Sequence, residues 1–141
     1  MDMRPKDTLH YYDAFGEGEA IRMALYYAHR GDEDDYVWKD KRYSSEEWEN
    51  MSKEKFEFQQ LPMLELKNGT RLVKTAAILD FLGNHHDLKP QDAGLNYYGL
   101  KACEWYQHDL IDKLVAPVLL DHDQAKRDAN IKKLTQETIP S

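Results

Sequence analysis

Residues 61–73 constrain the fold of this 141-residue chain more than any other stretch. Leu61-Pro62-Met63-Leu64-Glu65-Leu66 and Arg71-Leu72-Val73 are two short apolar segments on either side of Asn68-Gly69. An Asn-Gly pair in that position favours a hairpin, because both residues accept the positive φ that a tight turn demands. Pro62 has no N–H for a ladder, so it belongs at an edge or in a special turn, where a cis bond is an option. A lone hairpin is marginal in water, so its flanks must supply the rest of a sheet and its cover.

The flanks read accordingly. Thr8 to Tyr12 is short, aromatic and β-prone, which predicts a strand, and Asp13 to Gly18 predicts a turn. Glu19 to His29 places Ile21, Ala24, Leu25 and Ala28 at helical spacing, with Gly31 at a C-cap position. The run Asp32-Glu33-Asp34-Asp35 predicts a solvated loop, and Tyr36 to Trp38 a second strand. Ser44 or Ser45 suits the cap of a short helix through Trp48 and Met51, with Glu46 and Glu47 favourable in its first turn. After the hairpin, Thr75 suits the cap of a helix to about Leu82, with Gly83 ending it. The order strand, helix, strand, helix, hairpin, helix predicts an α/β domain over residues 1–84, built on a small mixed sheet.

The remainder, residues 85–141, differs in kind. Lys89 to Gly94 reads as a linker, and Leu95 to about Leu120 as one long helix in which Pro117 makes a kink or an end. Ala125 to Thr138 predicts a second, more polar helix. The second domain is therefore an all-α segment of about two helices. Its first helix would expose much apolar surface, which calls for a partner chain, in a homodimer or a larger complex, covering residues 95–120.

Charge and composition exclude several classes. With 26 acidic and 19 basic side chains the formal net charge is −7, which makes nucleic acid a poor partner. No apolar run approaches the roughly 20 residues that span a bilayer. One cysteine, Cys103, permits neither an internal disulfide nor a cysteine-rich zinc module. Cys103 itself reads as a small core residue of the long helix. The polar start Met1-Asp2-Met3-Arg4 lacks a signal-peptide apolar stretch, so an intracellular, cytoplasmic location is expected, with an organelle left open. His85-His86 reads as a solvated helix exit. Asp121-His122-Asp123 carries metal-ligand residue types, but neighbours on one helical turn do not converge on one ion, so no metal site is expected.

Three motifs carry a family resemblance. Leu9-His10-Tyr11-Tyr12-Asp13-Ala14-Phe15-Gly16-Glu17-Gly18-Glu19-Ala20-Ile21-Arg22 is similar to the opening strand, tyrosine-bearing turn and first helix of the cytosolic glutathione transferases, closest to the sigma-like class. Gln60-Leu61-Pro62-Met63-Leu64-Glu65 resembles that family's segment before a cis-proline, and Lys74-Thr75-Ala76-Ala77-Ile78-Leu79-Asp80-Phe81-Leu82 its Gln-Ser-x-Ala-Ile-x-x-Tyr-Leu helix start. The resemblance implies a thioredoxin-like, glutathione-binding-type domain over 1–84 and a partial helical domain over 85–141.

It also implies roles. Tyr11 would donate its hydroxyl to the thiol of glutathione. A thiol with a pKa near 8.5 is mostly protonated at neutral pH, and such a donor favours the nucleophilic thiolate. Leu61, turned by a cis bond to Pro62, would pair its backbone with the cysteinyl backbone of the ligand, with Gln60 beside it. Thr75 and Lys74, at a helix start, would hold the γ-glutamyl carboxylate, and Trp48 and Lys53 would lie near the glycine end. Glu104 would stand where the family has an aspartate that reaches a neighbouring subunit's glutathione. Each residue also has a structural reading: Tyr11 as a strand aromatic, Pro62 as a turn proline, Thr75 as a cap, Trp48 as core, Lys53 as a surface lysine.

Departures from the family pattern leave two functions open. Glu17 stands where a cation is usual, Lys74 where glutamine is usual, and the chain stops about where the family's fifth helix begins. One expectation is a glutathione transferase, with glutathione as co-substrate, no other cofactor, and a hydrophobic electrophile as second substrate. The other is a non-catalytic structural or interaction subunit that keeps the fold with a decayed site. A redox module is disfavoured, because Tyr11 and not a cysteine ends the first strand.

Overall fold

The computed structural model describes residues 6–30, 38–120 and 123–137. The chain divides into two compact units, residues 1–89 and 90–141.

The first unit is built on a four-stranded sheet. Strand β1 (Asp7–Tyr12) runs parallel to β2 (Trp38–Tyr43) and antiparallel to β3 (Met63–Glu65), and β4 (Arg71–Val73) closes the order β2-β1-β3-β4. Helices α1 (Gly16–Ala28) and α3 (Thr75–His85) bury Ile21, Leu25, Ile78 and Leu82 against Leu9 and Leu64 of the sheet. The short helix α2 (Ser45–Asn50) gathers Trp48 with Tyr43, Phe56 and Met63 in a second cluster. Leu9 and Leu64 are paired across the ladder and share one face, while His10 and Met63 share the other. The sheet therefore separates the two clusters.

The hairpin forms as expected, with Gly69 at φ 87° and its N–H bonded to the Leu66 carbonyl at 2.8 Å. The Ser44 cap forms as well. Its hydroxyl accepts from the Glu47 N–H at 3.1 Å, and the Glu47 carboxylate accepts from the Ser44 N–H at 2.7 Å.

Four expectations shift. Helix α1 starts at Gly16, so Gly16 and Gly18 lie in its first turn and not in a loop. Strand β2 falls at 38–43, a polar sequence without alternation, held by its parallel pairing to β1. Gly83 does not end α3; it is buried inside it, and a Cβ there would lie 2.5 Å from Lys89 Cγ. Lys74, with φ 70°, occupies the cap position of α3, and Thr75 is the first helical residue. Gly31, the 32–35 acidic run, Tyr36, Asp121, His122 and the chain's last residues lie outside the described residues.

The second unit is helical. Asp92 caps α4 (Ala93–Glu104) by accepting from the Leu95 N–H at 2.8 Å. The backbone then continues through a wider, π-type winding (Trp105–Val115) into α5 (Ala116–Leu120), so Pro117 does not end the run. Helix α6 (Gln124–Glu137) follows. No residue of this unit whose burial is described is buried, and Cys103 is exposed, not core. Among the described residues no helix is long and apolar enough to cross a membrane, and no cluster of metal-ligating side chains occurs.

Candidate functional site

Tyr11 is the penultimate residue of β1, and its ring lies across the first turn of α1. A Cβ on Gly16 would stand 2.6 Å from the Tyr11 hydroxyl, and one on Gly18 would overlap the ring. The two bare positions are thus what let the ring lie down. The phenol oxygen accepts the Glu17 N–H at 3.1 Å, one of the N-terminal helix amides without an intrahelical acceptor. Among the described residues nothing accepts the phenol proton, which stays available to a ligand. Burial pushes the Tyr11 pKa above the usual value near 10, against the opposing pull of the Glu17 amide. Tyr11 therefore stays protonated at neutral pH, as a donor and not as a base.

Arg22 fixes the turn that follows Tyr11. Its guanidinium is buried and donates to Asp40 at 3.0 Å, to the Ala14 carbonyl at 2.9 Å and to Glu19 at 2.9 Å. It also lies 5.8 Å from the centre of the Tyr11 ring. The sequence reasoning gave Arg22 no role. The one local signal was the Glu19–Arg22 pair at i,i+3 spacing.

The start of α3 lies close by. The Thr75 hydroxyl donates to the Glu17 carboxylate at 2.7 Å, so Glu17 joins the two helices: its amide serves Tyr11 and its side chain serves Thr75. Lys74 Nζ donates to Gln60 Oε1 at 2.7 Å and lies 5.2 Å from the Phe58 ring. The Leu61–Pro62 bond is cis. Leu61 stands two residues before Met63, where the β1–β3 ladder ends at His10. Phe58, Gln59 and Lys74 hold left-handed φ values of 58°, 52° and 70°. Such backbone costs about 1–3 kcal/mol per non-glycine residue and collects where surroundings impose it, often around ligands.

Tyr11, Gln60, Lys74 and Thr75 are therefore linked through Glu17 and through the Gln60–Lys74 bond, with the cis bond adjoining. Trp48 is buried in the second cluster, with Lys53 Nζ 5.3 Å from its ring. Glu104 ends α4 in the helical unit, exposed, with its carboxylate 3.4 Å from His108 Nε2.

Comparison with known proteins bears on the fold. No family model matches the chain. Glutathione S-transferase alpha I of Oryctolagus cuniculus is 29% identical over 143 residues, covering 99% of this chain and 60% of that protein. S-crystallin 3 of Enteroctopus dofleini is 26% identical, covering 95% of this chain and 55% of its own length. The structure of prostaglandin synthase D of Nilaparvata lugens superposes with a TM-score of 0.74 at 24% identity, over 96% of this chain and 63% of that one. The chain is similar to glutathione S-transferases along nearly its whole length. It spans 55–60% of the length of these sequence relatives. The relatives' names point to no single class, so the sigma-like resemblance stays a resemblance. The thioredoxin-like sheet domain followed by a partial helical segment is borne out.

Proposed function

We propose that the sheet unit binds glutathione and presents its thiolate to a hydrophobic electrophile. The observation that carries this reading is the uncommitted proton of Tyr11, aimed from the end of β1 while a helix amide holds its oxygen at 3.1 Å. In the proposed complex the Tyr11 O–H donates to the sulfur and stabilises the thiolate, and the thiol proton leaves to solvent. The sulfur lone pair then adds to the electrophilic carbon as its π bond breaks toward the neighbouring atom, which takes up a proton from solvent. Leu61, beside the cis Pro62, pairs its backbone with the peptide, and Gln60, Lys74 and Thr75 receive the γ-glutamyl end. Trp48 and Lys53 are assigned to the glycine end. An intracellular, cytoplasmic setting fits a chain whose single cysteine is exposed and unpaired.

Calorimetric titration with glutathione tests this. Thr75→Ala is expected to weaken binding about tenfold, the loss of one hydrogen bond to a charged group. Tyr11→Phe is expected to bind but to lose conjugation and the ultraviolet absorbance of the bound thiolate. Binding without turnover on any electrophile would remove the catalytic half of the reading.

A second reading rests on a different observation. Leu95, Tyr97, Tyr98, Leu100, Trp105 and Tyr106 stand between 44% and 61% exposed on one helical run. A protein partner covering residues 95–120, in a homodimer or a larger complex, would bury them. Glu104 is the subunit-crossing candidate on that run. A structural subunit would use this surface without catalysis, although the matched proteins do not favour that alternative. Sedimentation of the full chain as a monomer at all concentrations would count against a homodimer.

A further inference from the structure

We infer that Glu17 is a built-in competitor for the carboxylate of the ligand at the start of α3. Glutathione then binds only by displacing it. The inference rests on the glutathione reading given above.

The Glu17 carboxylate already accepts the Thr75 hydroxyl at 2.7 Å, the bond that reading assigns to the γ-glutamyl carboxylate. The two helices place it there. Glu17 lies in the first turn of α1, Thr75 is the first residue of α3, and their sequence separation is 58 residues. Among the described residues no cation forms an ion pair with Glu17. Lys74, the cation adjoining Thr75, is turned to Gln60 instead. A second carboxylate arriving at Thr75 would meet an unneutralised negative charge and no free hydroxyl proton, and a nearby like charge disfavours it.

Displacement needs only a side-chain rotation. Glu17 is exposed, and its backbone N–H stays on the Tyr11 oxygen whichever way its carboxylate points. The competitor therefore lowers affinity without disturbing the donor. Apparent affinity is the intrinsic affinity multiplied by the fraction of molecules in which Thr75 is released. The Glu17 carboxylate is bonded to Thr75, so its effect is on ligand affinity through Thr75.

The test is a cycle of titrations with glutathione on the full chain: unaltered, Glu17→Ala, Glu17→Gln, Thr75→Ala and Glu17→Ala/Thr75→Ala, each checked for native circular dichroism. Glu17→Ala is expected to tighten binding about fivefold or more. Glu17→Gln, which keeps an acceptor but loses the charge, is expected to fall between. The gain should vanish when Thr75 is already alanine. Equal or weaker binding by Glu17→Ala overturns the inference and leaves the glutathione reading standing. A gain of the same size with and without Thr75 also overturns it, since the effect would then be general charge and not competition. No heat from any of the five proteins at millimolar glutathione removes the glutathione reading itself, and this inference with it.

Discussion

The two units of the molecule treat similar side chains in opposite ways. In the sheet unit Leu9, Ile21, Leu25, Met63, Leu64 and Ile78 are fully buried. In the helical unit Leu95, Tyr97, Tyr98 and Tyr106 are more than half exposed. Both sequences are apolar at helical or strand spacing, so pattern does not separate them. What separates them is the presence of a second layer. A sheet with helices on it closes its own core, whereas helices without enough neighbours keep their stripe in water. The contrast is not total, because α1 and the residue before it also present Phe15, Met23 and Tyr26 to solvent.

The strongest way to break this comparison is to cut one large side chain in each unit. Leu64→Ala is expected to lower the unfolding free energy by about 2–5 kcal/mol, whereas Leu95→Ala should stay within about 0.5 kcal/mol. Urea titration of the full chain reads both. A large loss at Leu95 would mean that the helical stripe is already covered in solution.

The Ser44 cap gives a smaller effect inside the sheet unit. Ser44→Ala removes the side-chain half of the capping box and should cost about 1 kcal/mol. The matching change at Asp92, the α4 cap, is expected to cost no more, because the helical unit adds little tertiary packing to lose. Urea midpoints of the two variants decide the order.

Acid sharpens the contrast from another side. Burial is the largest effect on His10 and pushes its pKa below the usual 6.5, with Lys55 acting in the same direction. The unfolded chain takes up that proton first, so stability is lost as pH falls below about 6.5 and levels off once the folded His10 also titrates. His10 Nδ1 lies 2.7 Å from the Tyr43 hydroxyl, and Nε2 lies 3.3 Å from Glu65. Urea midpoints measured at about pH 5.5 and pH 7.5 should differ less in His10→Gln than in the unaltered chain. An unchanged difference would show that His10 is not the group responsible.

The smallest effect concerns Lys74. Lys74→Gly relieves the φ of 70° and should change stability by less than about 1 kcal/mol, in the stabilising direction, while glutathione binding weakens through loss of the Gln60 link. Thermal unfolding beside a glutathione titration reads the two signs together.

Much of the sheet unit could be read in advance because its signals are local. Asn68-Gly69 names its turn, Ser44 is one of two adjacent serines that suit the cap, and Pro62 admits a cis bond. Strand β2 could not be read that way. Trp38-Lys39-Asp40-Lys41-Arg42-Tyr43 is an edge strand that needs only backbone pairing with β1, and backbone pairing leaves no trace in side-chain alternation. The site was half readable for the same reason. Tyr11, Pro62 and Thr75 announce themselves within short motifs, but the Glu17–Thr75 bond joins residues that only the packing of α1 beside α3 brings together. Arg22 was hidden because its partners Ala14 and Asp40 belong to a turn and to the unread strand.

The bed on which the Tyr11 ring rests has one further consequence. Gly16 and Gly18 are shaped to the tyrosine as a mould is shaped to its casting. A methyl group at either position would lift the hydroxyl away from the Glu17 amide, and a smaller residue at position 11 would leave the mould empty. The three positions cannot be redesigned one at a time. Beyond Tyr11→Phe, which keeps the ring, any variant library aimed at the donor has to change them as a single block.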